Sequence, residues 1–321
     1  MPVSPEEERM AAATPTVGWI GTGRMGYQLA LRLCRVGYDL TACNRTRAKA
    51  EPLAEHGAHI ADAPADLADR DVVFIMVAAD KDLEAVICGP GGLLTGDRAP
   101  GIVVDSSTVS TAASARIRAV VEDRGAQFLA APVSGNPKVI ASGKLTVAAS
   151  GPRAVFDQVE PMLAAWGRSV TYVGEGEVAR LVKIAHNVFL GVVAESLAEI
   201  TVLAERGGVS RATFLGFLND SVLGSAFSRY KSPALVNLDF HPTFTSALLR
   251  KDLQLGLAAG EQLGVPMPLA AAADMLVAQA VGGGYRDDDF ATLVLEQARR
   301  SGYQIEPENE PVDDGLAPET A

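Results

Sequence analysis

Gly21-Thr22-Gly23-Arg24-Met25-Gly26 narrows the possible folds more than any other segment of this chain. An apolar run, Thr16–Ile20 (TVGWI), precedes it, and an amphipathic stretch, Arg24–Val36, follows it. Strand, glycine loop and helix in that order are the context in which three glycines at this spacing carry meaning. Gly21 permits a tight turn, Gly23 lets the backbone approach an anion, and Gly26 lets the helix pack closely on the strand. The first amides of the helix and its dipole then favour a phosphate. The loop therefore predicts an α/β fold with a parallel sheet and a dinucleotide held by residues 21–26.

The rest of the first half agrees. Tyr38–Cys43 reads as the next strand, and Asp71–Val77 (DVVFIMV) and Ile102–Asp105 (IVVD) as strands buried on both faces. Helices are predicted over about Arg47–His56 and Thr111–Arg124, and further strands at Gln127–Ala130, Leu145–Ala149 and Ser169–Val173. Strands alternating with helices give a doubly wound parallel sheet of the Rossmann kind. After Gly174 the pattern becomes helical, with one long segment over Glu177–Arg206 and others at Arg211–Leu218, Thr245–Leu263, Leu269–Val281 and Phe290–Ser301. The expected organisation is a loose leader (1–14), a Rossmann domain (15–176), an all-helical domain for substrate and oligomerisation (177–304), joined to it by the long helix, and a disordered acidic tail (305–321).

Charge and cysteine usage remove several function classes. Of the net charge of −11, the residues from Glu306 onward contribute −6 and the leader −2. An acidic chain is a poor partner for nucleic acid, whose affinity comes from Lys and Arg neutralising phosphates. No uninterrupted run of 18 apolar residues occurs, so no membrane span is expected. Cys34, Cys43 and Cys88 form no CxxC pair, which suits reduced thiols and a cytoplasmic location. Four scattered histidines form no ligand cluster, and no metal is expected.

The end of the second strand bears on cofactor choice. NAD sites usually place Asp or Glu there, on the ribose hydroxyls. This chain has Asn44-Arg45-Thr46, and Arg45 can pair with a 2′-phosphate, with Arg47 and Lys49 adding positive field. The reading favours NADP over NAD, with NAD still possible.

At this point the motifs resemble those of the β-hydroxyacid dehydrogenases, a 6-phosphogluconate dehydrogenase-like family. It contains 3-hydroxyisobutyrate dehydrogenase, tartronate semialdehyde reductase and the glyoxylate/succinic semialdehyde reductases. The methionine in GTGRMG, the NRT sequence and four later motifs carry the likeness, from about Thr16 to Gly302. In Asp105-Ser-Ser-Thr108, the resemblance makes Thr108 a cofactor contact; helix capping is the local alternative. In Ala131-Pro-Val-Ser-Gly-Asn-Pro137, it makes Ser134 and Gly135 part of a substrate-carboxylate loop. Asn136-Pro137 stands where relatives carry a second glycine; Asn136 can donate from its side chain, while Pro137 lacks a backbone donor.

In Gly176–Asn187, Lys183 falls on the family's catalytic lysine, and Asn187 shares its helix face four residues on. His186 reads as pocket wall or core. Lys251, in Lys251-Asp252-Leu253, matches a lysine that reaches the cofactor, with Asp252 orienting it or merely pairing with it on the surface. Phe227, Phe240 and Trp166 are candidate pocket linings. The resemblance implies an oxidoreductase acting on CH–OH, with Lys183 as general acid in reduction and general base in oxidation, Asn187 beside it, and a homodimer or homotetramer. An imine reductase-like enzyme and a catalytically idle binding protein on the same fold are the alternatives; both usually lack the lysine kept here.

Overall fold

The computed structural model describes residues 14–316, so residues 1–13 of the expected leader and residues 317–321 of the expected tail lie outside the described residues. The chain divides into two units at Lys183/Ile184. The first contains β1 (Val17–Ile20), α1 (Arg24–Arg35), β2 (Leu40–Cys43), β3 (His59–Ile60), β4 (Val72–Ile75), α2 (Asp80–Cys88) and β5 (Ile102–Asp105). It continues with α3 (Thr111–Asp123), β6 (Gln127–Ala130), β7 (Val133–Ser134), α4 (Pro137–Ala141), β8 (Leu145–Ser150), α5 (Arg153–Ala164) and β9 (Gly167–Gly174).

These strands form one sheet in the order β3-β2-β1-β4-β5-β6-β8-β7, with β9 on β8. The strands from β3 to β6 run parallel, and β8 is antiparallel to β6 and β7. The order reverses direction beside β1, where ligands of open α/β sheets bind. Every residue of β1, β2, β4 and β5 is buried, including the polar Thr41 and Asp105 among otherwise apolar strands. Val72 and Phe74 of β4 go to one face of the sheet and Val73 and Ile75 to the other. On the first face Phe74 packs 5.6 Å from Trp19 and 5.2 Å from Trp166 between ring centres. Trp166 is therefore core of this unit, not the pocket lining expected of it.

The predicted helix over Arg47–His56 is instead two 3₁₀ segments, Arg47–Lys49 and Glu51–His56. Pro52, at the start of the second, cannot supply the amide that a continuous helix needs.

The helix α6 (Val178–Arg206) begins in the first unit and continues into the second, so the division falls inside it and not before it. The second unit adds α7 (Arg211–Asp220), α8 (Ala226–Asn237), α9 (Ser246–Leu263), α10 (Pro268–Gly282) and α11 (Leu293–Arg300). Among the described residues its only β contact is an isolated bridge between Thr245 and Asp289. The helix α6 is long and apolar enough, by length and composition, to cross a membrane, although it holds no uninterrupted run of 18 apolar residues; half of its most apolar stretch is buried. Ile184, Val188, Leu197 and Val202 from it enter the unit's core with Leu249 and Leu253 of α9. Two glycines bring α6 and α9 together. A Cβ on Gly191 would lie 2.7 Å from Leu253, and one on Gly256 only 1.9 Å from Val188.

The acidic segment after 304, expected to be disordered, is tied down as far as it is described. The Glu308 carboxylate accepts from the amides of Arg211 (2.6 Å) and Ala212 (2.9 Å) at the start of α7. The Asn237 side chain clamps the Glu310 peptide, donating to its carbonyl at 2.9 Å and accepting from its amide at 3.0 Å. A carboxylate on exposed helix amides meets both the unsatisfied donors and the positive end of the dipole.

Candidate functional site

The register of the sheet sets Ile20, Cys43, Ile75 and Asp105 on neighbouring strands at the same level. The glycine loop, Asn44–Thr46, the segment after Ile75 and Ser106–Thr108 therefore leave the sheet along one edge. Gly21 donates to Cys43 O (2.9 Å) and Met76 donates to Ile20 O (2.9 Å), which fixes the first three of these segments to one another. Asn44 adds a side-chain tie: its Oδ1 accepts from Thr22 N and its Nδ2 donates to Thr46 O, both at 2.9 Å.

The three glycines have different reasons to be glycine. Gly21 has φ +95°, and a Cβ on it would lie 2.2 Å from Met76 O. A Cβ on Gly26 would lie 2.0 Å from Gly21 O. Both are demanded by the protein's own packing. Gly23 caps α1 in an ordinary extended conformation, has no side-chain cap, and a Cβ there would meet nothing beyond its chain neighbours within 4 Å among the described residues. Among the described residues nothing requires glycine at 23, whereas a phosphate approaching the backbone does. Two buried hydroxyls on the same edge, Thr22 Oγ1 and Ser106 Oγ, have no hydrogen-bond partner among the described residues. A buried hydroxyl left so is costly unless a ligand or an ordered water meets it. This donor set fits a dinucleotide. Arg24 is exposed beside the loop, and Met25 packs against the core.

Arg45 extends from the end of β2 with its side chain 92% exposed, 4.0 Å from Asp82. The sequence reading found no carboxylate near this position; the fold supplies one from α2. An ion pair so exposed contributes little and yields readily to a phosphate. Arg47 is engaged with Asp62 and Glu51. The helix after the β5 loop is capped by Ser110, which accepts from Ala113 N at 3.1 Å, so capping does not fall to Thr108.

The Ser134–Asn136 loop follows β7. Gly135 has φ +146°, and a Cβ would meet Leu145 at 2.7 Å, so packing alone requires it. Asn136 caps α4, with Oδ1 accepting from Val139 N at 3.0 Å, and Pro137 takes the first helical position, where its missing amide costs no helical bond. The cap fixes the orientation of the amide, and leaves Asn136 Nδ2 buried with no partner.

In the second unit the closeness of α6 and α9 joins two expected site residues. Asn187 Nδ2 donates to Asp252 Oδ2 at 2.5 Å, and both residues are buried. Lys251 Nζ lies 3.2 Å from Asp252 Oδ1, so Asp252 contacts both residues. His186 Nδ1 sits 2.9 Å from Asn187 Oδ1. Lys183 is half-buried near the start of α6, at the end of the first unit. Phe227 and Phe240 pack against the core of the second unit, Phe227 stacking 6.1 Å from Phe290.

One residue of the Gly176–Asn187 motif carries more contacts than the sequence suggested. Arg180 is fully buried and pairs with Asp105 Oδ2 at 2.6 Å. An arginine inside an apolar helical run was the available signal, but its partner lies 75 residues away.

A model of the NAD binding domain of 6-phosphogluconate dehydrogenase matches residues 16–174. A model of the NAD-binding region of NADP-dependent 3-hydroxyisobutyrate dehydrogenase matches residues 174–296. Glyoxylate/succinic semialdehyde reductase 1 of Arabidopsis thaliana is 30% identical over 279 residues, which cover 87% of this chain and 96% of that protein. Cytokine-like nuclear factor N-PAC of Xenopus tropicalis is 33% identical over 279 residues, which cover 86% of this chain and 52% of that protein, so the chain spans about half the length of such relatives. A crystal structure of 3-hydroxyisobutyrate dehydrogenase from Salmonella typhimurium matches with a TM-score of 0.79 at 26% identity, covering 87% of this chain and 99% of that one. The glycine loop, the strand order and these likenesses agree, and the chain belongs to the β-hydroxyacid dehydrogenase family of NAD(P)-dependent proteins.

Proposed function

We propose that this chain is an NADP-preferring oxidoreductase that interconverts a small β-hydroxy acid and the corresponding aldehyde acid. The observation that carries the reading is Gly23, the one fingerprint glycine the protein does not need for itself. Gly21–Gly26 and Asn44–Thr46 hold the dinucleotide, Arg45 takes the 2′-phosphate, and Thr108 and Lys251 complete the cofactor contacts. Ser134, Gly135 and Asn136 take the substrate, with the partnerless Nδ2 of Asn136 as a donor to a substrate oxygen.

A nicotinamide held by these residues would supply or accept the hydride. Lys183, as ammonium, hydrogen-bonds the substrate carbonyl oxygen and donates its proton as that oxygen gains charge; the neutral amine takes the proton back in oxidation. Asp252 at Nδ2 and His186 at Oδ1 fix the Asn187 side chain, and Asn187 holds the substrate or Lys183 in place. The protein works in the cytoplasm as a homodimer or homotetramer; the exposed Phe189 and Leu203 of α6 support assembly.

The test is a spectrophotometric panel: NADPH or NADH with small aldehyde acids, NADP or NAD with 3-hydroxy acids, and cyclic imines beside them. Turnover with aldehyde acids and NADPH is expected, and turnover confined to imines points to an imine reductase. Lys183→Ala is expected to lower kcat by about 100-fold or more while leaving dinucleotide affinity unchanged; unchanged turnover removes the lysine from the chemistry. The likeness to a named nuclear factor favours a second reading, a dehydrogenase fold used for binding. Dinucleotide binding with no turnover on any member of the panel is its signature.

A further inference from the structure

The guanidinium of Arg180 makes four hydrogen bonds in a fully buried setting. Nε donates to Ser114 Oγ (3.0 Å), Nη1 to Ser107 O (2.6 Å), and Nη2 to both Asp105 O (3.1 Å) and Asp105 Oδ2 (2.6 Å). Asp105 in turn uses Oδ1 to accept from Ser107 N at 3.0 Å. Ser107 Oγ accepts from Val77 N at 2.9 Å, in the segment that leaves β4. A single side chain from the first turn of α6 thus fixes the β5 loop directly and the β4 segment through Ser107. These are two of the four segments on the edge that carries the glycine loop, and Ser106, with its partnerless buried hydroxyl, lies between the two clamped residues.

Buried ion pairs of this kind add little stability over an apolar pair of the same volume. Simple attachment of α6 to the sheet needs only packing. A planar fork that holds two loop carbonyls and a carboxylate at set angles gives something packing does not, namely a defined backbone path through Ser106–Thr108.

We propose that Arg180 is a positioning residue for dinucleotide binding, acting through Asp105 and Ser107 to hold the β5 loop and the β4 segment in their binding conformation. The proposal rests on the dinucleotide reading of the glycine edge and goes beyond it by assigning a residue that does not face the cofactor.

The test compares the wild type with Arg180→Met and with the double variant Asp105→Leu/Arg180→Met, which leaves no buried charge without its partner and so keeps a folded comparison if the single variant unfolds. Two readouts are taken. Hydrogen exchange without dinucleotide at the amides of Val77 and Ser107 is expected to accelerate in the double variant. The Kd for NADPH, by calorimetric titration of protein shown to be folded by circular dichroism, is expected to rise on the order of tenfold or more. Folded double variant with wild-type Kd overturns the proposal, and so does unchanged exchange. If the wild type binds neither NADPH nor NADH, the dinucleotide reading itself fails and takes the proposal with it, a result distinct from a variant that merely binds as well as the wild type.

Discussion

Replacing each fingerprint glycine by alanine separates what the fold needs from what the ligand needs. At Gly21 the new methyl would sit 2.2 Å from Met76 O with φ at +95°, and at Gly26 it would sit 2.0 Å from Gly21 O. Both contacts are far inside van der Waals range, so the loop must move, at a cost of roughly 1–3 kcal/mol or more. The positive φ at Gly21 adds about 1–2 kcal/mol. Gly23 is different. Its φ of −68° and ψ of −172° suit alanine, and among the described residues nothing beyond its chain neighbours lies within 4 Å of the new methyl. Alanine is a poorer cap than glycine, by roughly 0.5–1 kcal/mol, while its stiffer unfolded chain returns roughly 0.4–1 kcal/mol. The net change in stability is therefore within about 1 kcal/mol. A methyl in the path of the pyrophosphate is expected to weaken binding by at least about 1.4 kcal/mol, a factor of ten in Kd. Thermal melts and calorimetric titration with NADPH measure both effects on one set of samples. Gly23→Ala with an unchanged melt and a tenfold weaker Kd is the expected result. An unchanged Kd shows that nothing approaches the backbone there, and a large fall in melting temperature shows that the glycine serves the fold.

Two further substitutions test separate parts of the molecule. Arg45→Ala is expected to raise KM for NADPH about 10- to 100-fold, the worth of one charge-assisted hydrogen bond, and to leave KM for NADH nearly unchanged; equal effects on both remove the 2′-phosphate contact. In α6, both carboxylate oxygens of Glu195 are buried without a hydrogen bond, and the nearest cation, Arg300, is 3.9 Å away. Burial pushes this carboxyl up from 4.5 to about 7, against the pull of Arg300 and with a small push from Glu199. A folded-state value above the unfolded one means that the native state holds the extra proton between about pH 4.5 and 7, so stability falls as pH rises through that window. Glu195→Gln is expected to be near neutral at pH 5 and to stabilise by up to about 3 kcal/mol at pH 8, measured by urea denaturation. The same difference at both pH values contradicts the burial argument.

The parts of this molecule that the sequence makes legible are those whose cause is local. Strands such as VGWI and VVFI announce themselves because burial on both faces demands unbroken apolar composition. The glycine loop is legible because a turn and a close approach leave no other residue type. The helix α2 escapes notice because only Leu83 and Ile87 are buried in it, a stripe too thin to show among its charges. The helix α8 escapes because Pro233 interrupts it and much of its buried face is Ser228, Lys231 and Ser232.

Charged residues are the hardest to read, since a charge has no role until its partner is placed. Arg211 and Glu308 look like surface residues of a polar stretch, yet the fold buries the arginine completely and turns the glutamate into a helix cap. Arg180 and Asp105 look like a helix cation and a strand-end acid, and become the clamp of the cofactor edge. The partners in these two pairs lie 97 and 75 residues apart. Periodicity reads only along one element, so it cannot join them. The chemistry that touches a ligand is thus written in short motifs, while the groups that hold those motifs in shape come from distant segments, and only the fold brings them together.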